Sequence, residues 1–122
     1  MENILELPDP DNINCVLYSY LKGHKELYIE AYVHNEIKYI FIDGVEYYSG
    51  PVTWKGANFR LGSEEECITL LESSTNYKDF TIKNLNEVFS LFKINTTFGT
   101  EVKILGNKDS LFLVKNLPEH LR

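Results

Sequence analysis

The sequence predicts an α+β domain: an N-terminal antiparallel β-meander of four to five strands, two helices packed on one face of it, and a C-terminal β-hairpin. Three observations lead there. Seven of the eight tyrosines fall between Tyr18 and Tyr48, and pairs such as Tyr18/Tyr20 and Tyr28/Tyr32 keep even spacing, the side-chain period of a strand. Asp43-Gly44 sits between two apolar runs, a hairpin signal because both turn positions call for positive φ. Ser63 is followed three residues later by Glu66, and Leu85, Val88, Phe89 and Phe92 recur at i, i+3, i+4 and i+7, a capping box and an amphipathic helical stripe.

Residues 1–14 read as a lead-in, with Pro8-Asp9-Pro10-Asp11-Asn12 as a turn cluster. Residues 15–61 form the meander. Strands at 15–22 and 26–34 flank Gly23-His24-Lys25, and strands at 37–42 and 45–48 flank Asp43-Gly44. With a two-residue turn at Asn35-Glu36, Leu17, Leu21, Leu27, Ile29, Ala31, Val33, Ile40, Ile42, Val45 and Tyr47 share one face. Val16, Tyr18, Tyr20, Tyr28, Glu30, Tyr32, Tyr39, Phe41, Glu46 and Tyr48 share the other. A slip of one residue would scramble both faces, so their clean separation supports the register. A fifth strand over 52–61 bends at Gly56. The segment 63–94 is helical, with a first helix from about 64 to 72 and a second capped by Asn84 and Glu87. Residues 100–105 and 110–116 close the chain as a hairpin around Gly106-Asn107-Lys108-Asp109.

At 122 residues, with 43% hydrophobic and 25% charged side chains, the chain matches one globular domain. Its formal net charge of -6 and lack of a basic run argue against nucleic acid and anionic membrane as partners and favour a basic protein. The N-terminus lacks the basic start and apolar run of a signal peptide, and no apolar run reaches membrane-helix length. Cys15 and Cys67, 52 positions apart, read as free thiols in a reducing cytoplasm. Zinc needs clustered Cys and His ligands, and neither a metal nor a cofactor motif is present.

The candidate binding surface is the aromatic face: Tyr18, Tyr20, Tyr28, Tyr32, Tyr39, Phe41 and Tyr48, joined by Trp54 and Arg60, both favoured anchor types beside Gly56. Leaving such a face wet would expose more apolar area than soluble monomers usually show. Helices packed on the aliphatic face would leave the tyrosines as a groove, a pocket or a dimer interface. The expected function is therefore a small acidic cytoplasmic interaction module for a protein partner, a second copy or a small ligand. Two other readings stay open: a cofactor-free enzyme with Glu30 or Glu46 as acid/base in a curled-sheet pocket, and a structural homodimer subunit.

Overall fold

The computed structural model describes residues 2–21, 23, 25–74 and 87–121. Within them the chain is mostly β. The strands are β1 (Asn14–Leu21), β2 (Glu26–Val33), β3 (Glu36–Ile42), β4 (Tyr47–Ser49), β5 (Thr53–Lys55), β6 (Arg60–Leu61), β7 (Phe89–Asn95), β8 (Glu101–Asn107) and β9 (Leu111–Val114), with one helix of any length, α1 (Glu64–Ser74), between β6 and β7. Two antiparallel sheets result, ordered β5-β1-β2-β3-β9 and β4-β8-β7-β6. This overturns the α+β expectation of two helices on a meander: the aliphatic face of the first sheet is covered by a second sheet, not by helices.

The meander itself is present in β1, β2 and β3. The β2–β3 turn is His34-Asn35, both with positive φ (47° and 65°), one residue earlier than Asn35-Glu36. Ile29 consequently pairs with Ile40 and Tyr28 with Phe41. That change displaces the pairing by two residues, so each side chain keeps the face its alternation gave it. Leu27, Ile29, Ala31, Ile40 and Ile42 are all fully buried on the inner face. They meet Phe92, Ile94, Val102 and Ile104 of the second sheet in one core, the interdigitated centre of two packed sheets.

Two predicted hairpins are instead crossings between sheets. Asp43-Gly44 ends β3 in the first sheet, and the next strand, β4, pairs with β8 in the second. Likewise β8 lies in the second sheet and β9 pairs with β3 in the first. The two crossings are joined at one corner. The Asp43 carbonyl accepts from the Asn107 amide at 2.9 Å and from the Ser110 hydroxyl at 3.1 Å. Both crossings need glycine. Gly44 has φ 63°, and a Cβ on Gly106 would lie 2.7 Å from Ile42 Cγ2. The predicted fifth strand also splits. Gly56, at φ 131°, opens a crossing from β5 in the first sheet to β6 in the second.

The second predicted helix is corrected as well. Its Asn84 cap lies outside the described residues, but Phe89 and Phe92 belong to β7. That strand is buried on both faces: Phe89 and Leu91 pack with Cys67 and Leu71 of α1, while Phe92 and Ile94 enter the core between the sheets. With apolar residues on both faces, Phe89-Ser90-Leu91-Phe92-Lys93-Ile94-Asn95 lacks strict alternation and also matches a helical template. The first helix follows its signal. The Glu66 amide donates to Ser63 Oγ and the Ser63 amide to Glu66 Oε1, each at 3.1 Å, a complete capping box.

Candidate interaction face

The outer face of the first sheet carries the aromatic side chains as a grid set by the pairing registers. Across one row stand Phe112, Phe41, Tyr28 and Ser19; across the next, Val114, Tyr39, Glu30 and Val16; across the third, Ile37, Tyr32, Asn14 and Lys55. Side chains opposite one another in such rows are about 4.5–5.5 Å apart at Cβ. The first row packs as an aromatic ladder. Tyr28 and Phe41 have ring centroids 4.9 Å apart, and Phe41 stacks on Phe112 at 6.5 Å. Tyr28 is buried within it, while Phe112 at the sheet edge is 51% exposed.

Tyr18 occupies a bulge, because the β1–β2 register shifts between Leu17 and Ser19. Its ring meets Tyr39 edge-on at 5.9 Å, and its hydroxyl donates to the Leu121 carbonyl at 3.0 Å. The chain beyond β9 thus turns back onto this face, and Leu117 within it is buried. Tyr32 stands in the open row, 44% exposed, and its hydroxyl donates to the Glu30 carboxylate. That acceptor holds the Tyr32 phenol above its ordinary pKa. Tyr18, Tyr32, Ile37 and Phe112 are each between 42% and 51% exposed on this one face.

Other predicted site residues lie elsewhere. The bulge at Tyr18 inverts the alternation that follows it and turns Tyr20 inward, opposite Leu27, where its hydroxyl donates to the Val45 carbonyl. Tyr48 is on β4, packed on the core between the sheets with its hydroxyl on the Pro51 carbonyl; burial pushes its pKa up to about 12. Trp54 is buried opposite Cys15, its indole N–H donating to the Gly56 carbonyl at 2.8 Å. Arg60 faces away from the aromatic grid, on the second sheet, where it pairs with Glu101 at 3.0 Å. Trp54 and Arg60 therefore do not form one anchor pair.

The two carboxylates weighed as acid/base groups serve different neighbours. Glu30 accepts from Tyr32 in the grid, whereas Glu46 lies on the β3–β4 crossing and pairs with Lys25 at 2.6 Å. Cys15 and Cys67 are both buried and free, and burial raises the Cys15 thiol to about 12, which marks it as inert packing.

Sequence reading missed Phe112, Ile37 and the returning tail. In β9 Leu111 is buried and Phe112 exposed, but the run Leu111-Phe112-Leu113-Val114 is apolar throughout and nothing local assigns it to the edge beside Phe41. Together the fold and the face define an antiparallel two-sheet β protein with a partly open aromatic surface. No family model matches the chain, and comparisons with curated proteins and solved structures find no match. No helix among the described residues is long and apolar enough to cross a membrane.

Proposed function

We propose that this is a small cytoplasmic interaction module that takes a basic protein segment on the outer face of its first sheet. One observation carries the reading: Tyr18, Tyr32, Ile37 and Phe112 stand 42–51% exposed on a single face, with the Glu30 carboxylate among them. The opposite face packs into the core between the sheets, so these side chains are not surplus from an unfilled interior. Burying one such side chain contributes roughly 1.5–3 kcal/mol. Rings beside a carboxylate suit a lysine or arginine, through cation–π contact and ion pairing. The net charge of -6 favours a basic partner over a second copy, which would carry the same charge. Buried, unpaired thiols suit the reducing cytoplasm.

Tyr32→Ser and Tyr28→Ser test the reading as a pair. Tyr32→Ser should leave the denaturation midpoint nearly unchanged, within about 0.5 kcal/mol, yet abolish retention of a basic protein partner on an affinity column of the purified chain. Tyr28→Ser removes a buried ring and should cost about 3–5 kcal/mol. Loss of the cooperative thermal transition in Tyr32→Ser would make that ring ordinary core and end the proposal. A dimer in light scattering, dissolved by Tyr32→Ser, would assign the face to self-association instead.

A further inference from the structure

The β7–β8 loop holds one aromatic ring out in solvent on a rigid base. Phe98, at its tip, is 86% exposed, the most exposed of the large hydrophobic side chains among the described residues. The residues beneath it are tightly bound. Buried Thr96 receives the Thr100 amide on its hydroxyl at 3.1 Å, its own amide donates to the Thr100 carbonyl at 2.9 Å, and the two hydroxyls are 2.6 Å apart. Gly99 closes the turn at φ 88°, a conformation side chains rarely adopt. The Thr97 amide donates to the Lys55 carbonyl at 3.0 Å, which ties the loop to β5 of the other sheet.

A second observation lies at the loop's base. A cleft of about 450 Å³ opens there, lined among others by Glu2, Asp11, Arg60, Thr96 and Thr97. Arg60 donates to Glu101 and Asn95, and it shares the Glu101 carboxylate with Lys93 and Lys103. Glu2 and Asp11 are exposed, so the lining sets two carboxylates against the one Arg60 guanidinium.

We propose that the β7–β8 loop is a preformed finger: the Phe98 ring enters an apolar pocket on a partner protein, and a lysine or arginine at that pocket's rim enters the Glu2/Asp11 cleft. The loop is already ordered, so binding does not bear the cost of ordering it. An exposed aromatic on a rigid support is the side-chain type that dominates interface energetics. The finger does not rest on the aromatic face: it belongs to the second sheet and meets the first only at the β5 edge, on the far side from Phe112.

The test places the photoreactive residue p-benzoylphenylalanine at position 98, and separately at exposed Glu72 on α1, in the intact chain expressed in its own cells. A protein joined from position 98 but not from position 72 is then purified and titrated against variants. Phe98→Ala should weaken its binding roughly ten- to a hundredfold with no change in Tm. Glu2→Lys combined with Asp11→Lys should weaken it several-fold. Tyr32→Ser should leave it unchanged, which separates the finger from the aromatic face. Failure to join any protein from position 98, unchanged affinity in Phe98→Ala, or a lowered Tm in that variant would each overturn the finger. Loss of affinity in Tyr32→Ser with none in Phe98→Ala would overturn it while leaving the aromatic-face reading intact.

Discussion

The Tyr18 hydroxyl donates to the Leu121 carbonyl across 3.0 Å, joining residues 103 positions apart. Tyr18 stands at the bulge in β1 without a partner on β2, on the face to which the tail returns. With Leu117 buried, the chain covers part of its own aromatic face. Tyr18→Phe keeps the ring and deletes the bond. Net hydrogen-bond contributions of about 0.5–1.5 kcal/mol, taken at the low end for an exposed site, predict a small drop in the denaturation midpoint. Amide exchange in residues 117–121 should accelerate while β1 and β2 stay protected. Unchanged exchange in the tail would show that the bond holds nothing in place.

On the outer side of the second sheet, Lys93 lies 2.6 Å from Glu66 and 3.3 Å from Glu101, and Arg60 lies 3.0 Å from Glu101. The Lys93 ammonium and then the Ser63 amide pull the Glu66 carboxyl from its ordinary 4.5 to about 2. Burial opposes the same shift at Glu101, but Lys93 and Lys103 carry it below its ordinary value. A carboxylate whose folded pKa is depressed stabilises the fold above its unfolded value and loses that contribution as protons bind the folded state. Stability should therefore fall as pH drops from about 4.5 toward 2. Lys93 is raised, chiefly by Glu66, so its share is present below the ordinary lysine range and disappears as pH climbs above it. Glu66→Gln should flatten the acid limb, and at neutral pH it should cost under about 1 kcal/mol, since Glu66 is partly exposed. Denaturation midpoints measured against pH decide it; parallel curves for the two proteins would refute the assignment.

Gly106 lies where the two crossings come close together. A methyl there would sit 2.7 Å from Ile42 Cγ2 and 2.9 Å from the Asp43 carbonyl oxygen, neither of them the free end of a flexible chain. Gly106→Ala should destabilise by about 1–3 kcal/mol, the usual cost of overpacking, seen as a lower midpoint at unchanged m-value. A variant as stable as the parent would mean that the corner can open without loss.

Local patterns along the chain were a good guide to some elements and a poor one to others. Alternation in residues 26–42 divided Ile29 and Ile40 from Tyr28 and Phe41 correctly, even though the turn lies one residue earlier than expected. A two-residue change of register is invisible to a period of two. The Ser63/Glu66 cap was legible because its two hydrogen bonds join groups three residues apart. Tyr20 was misplaced because a bulge leaves no trace in alternation until the partner strand is known. Phe89–Ile94 matched a helix because Phe89 and Phe92 on opposite faces of the strand stand three apart, as do the polar Ser90 and Lys93, a spacing that a helical stripe also shows. Of the side chains on the outer face of the first sheet, alternation places Tyr18, Tyr28, Tyr32, Tyr39 and Phe41 there, whereas only the strand registers place Phe112 and Ile37.

What the amino-acid order alone determined here is the division of the first sheet into an aliphatic and an aromatic face, together with the start of α1. Both are set by residues within a few positions of each other. What covers each face was decided only in three dimensions. The aliphatic side meets a second sheet because β4 and β8 pair across a gap of more than fifty residues, and the aromatic side is partly overlaid because Leu121 returns to Tyr18. Such contacts form between segments that are strangers in sequence. Their stability comes from the shape and burial of the assembled core, which no local period encodes.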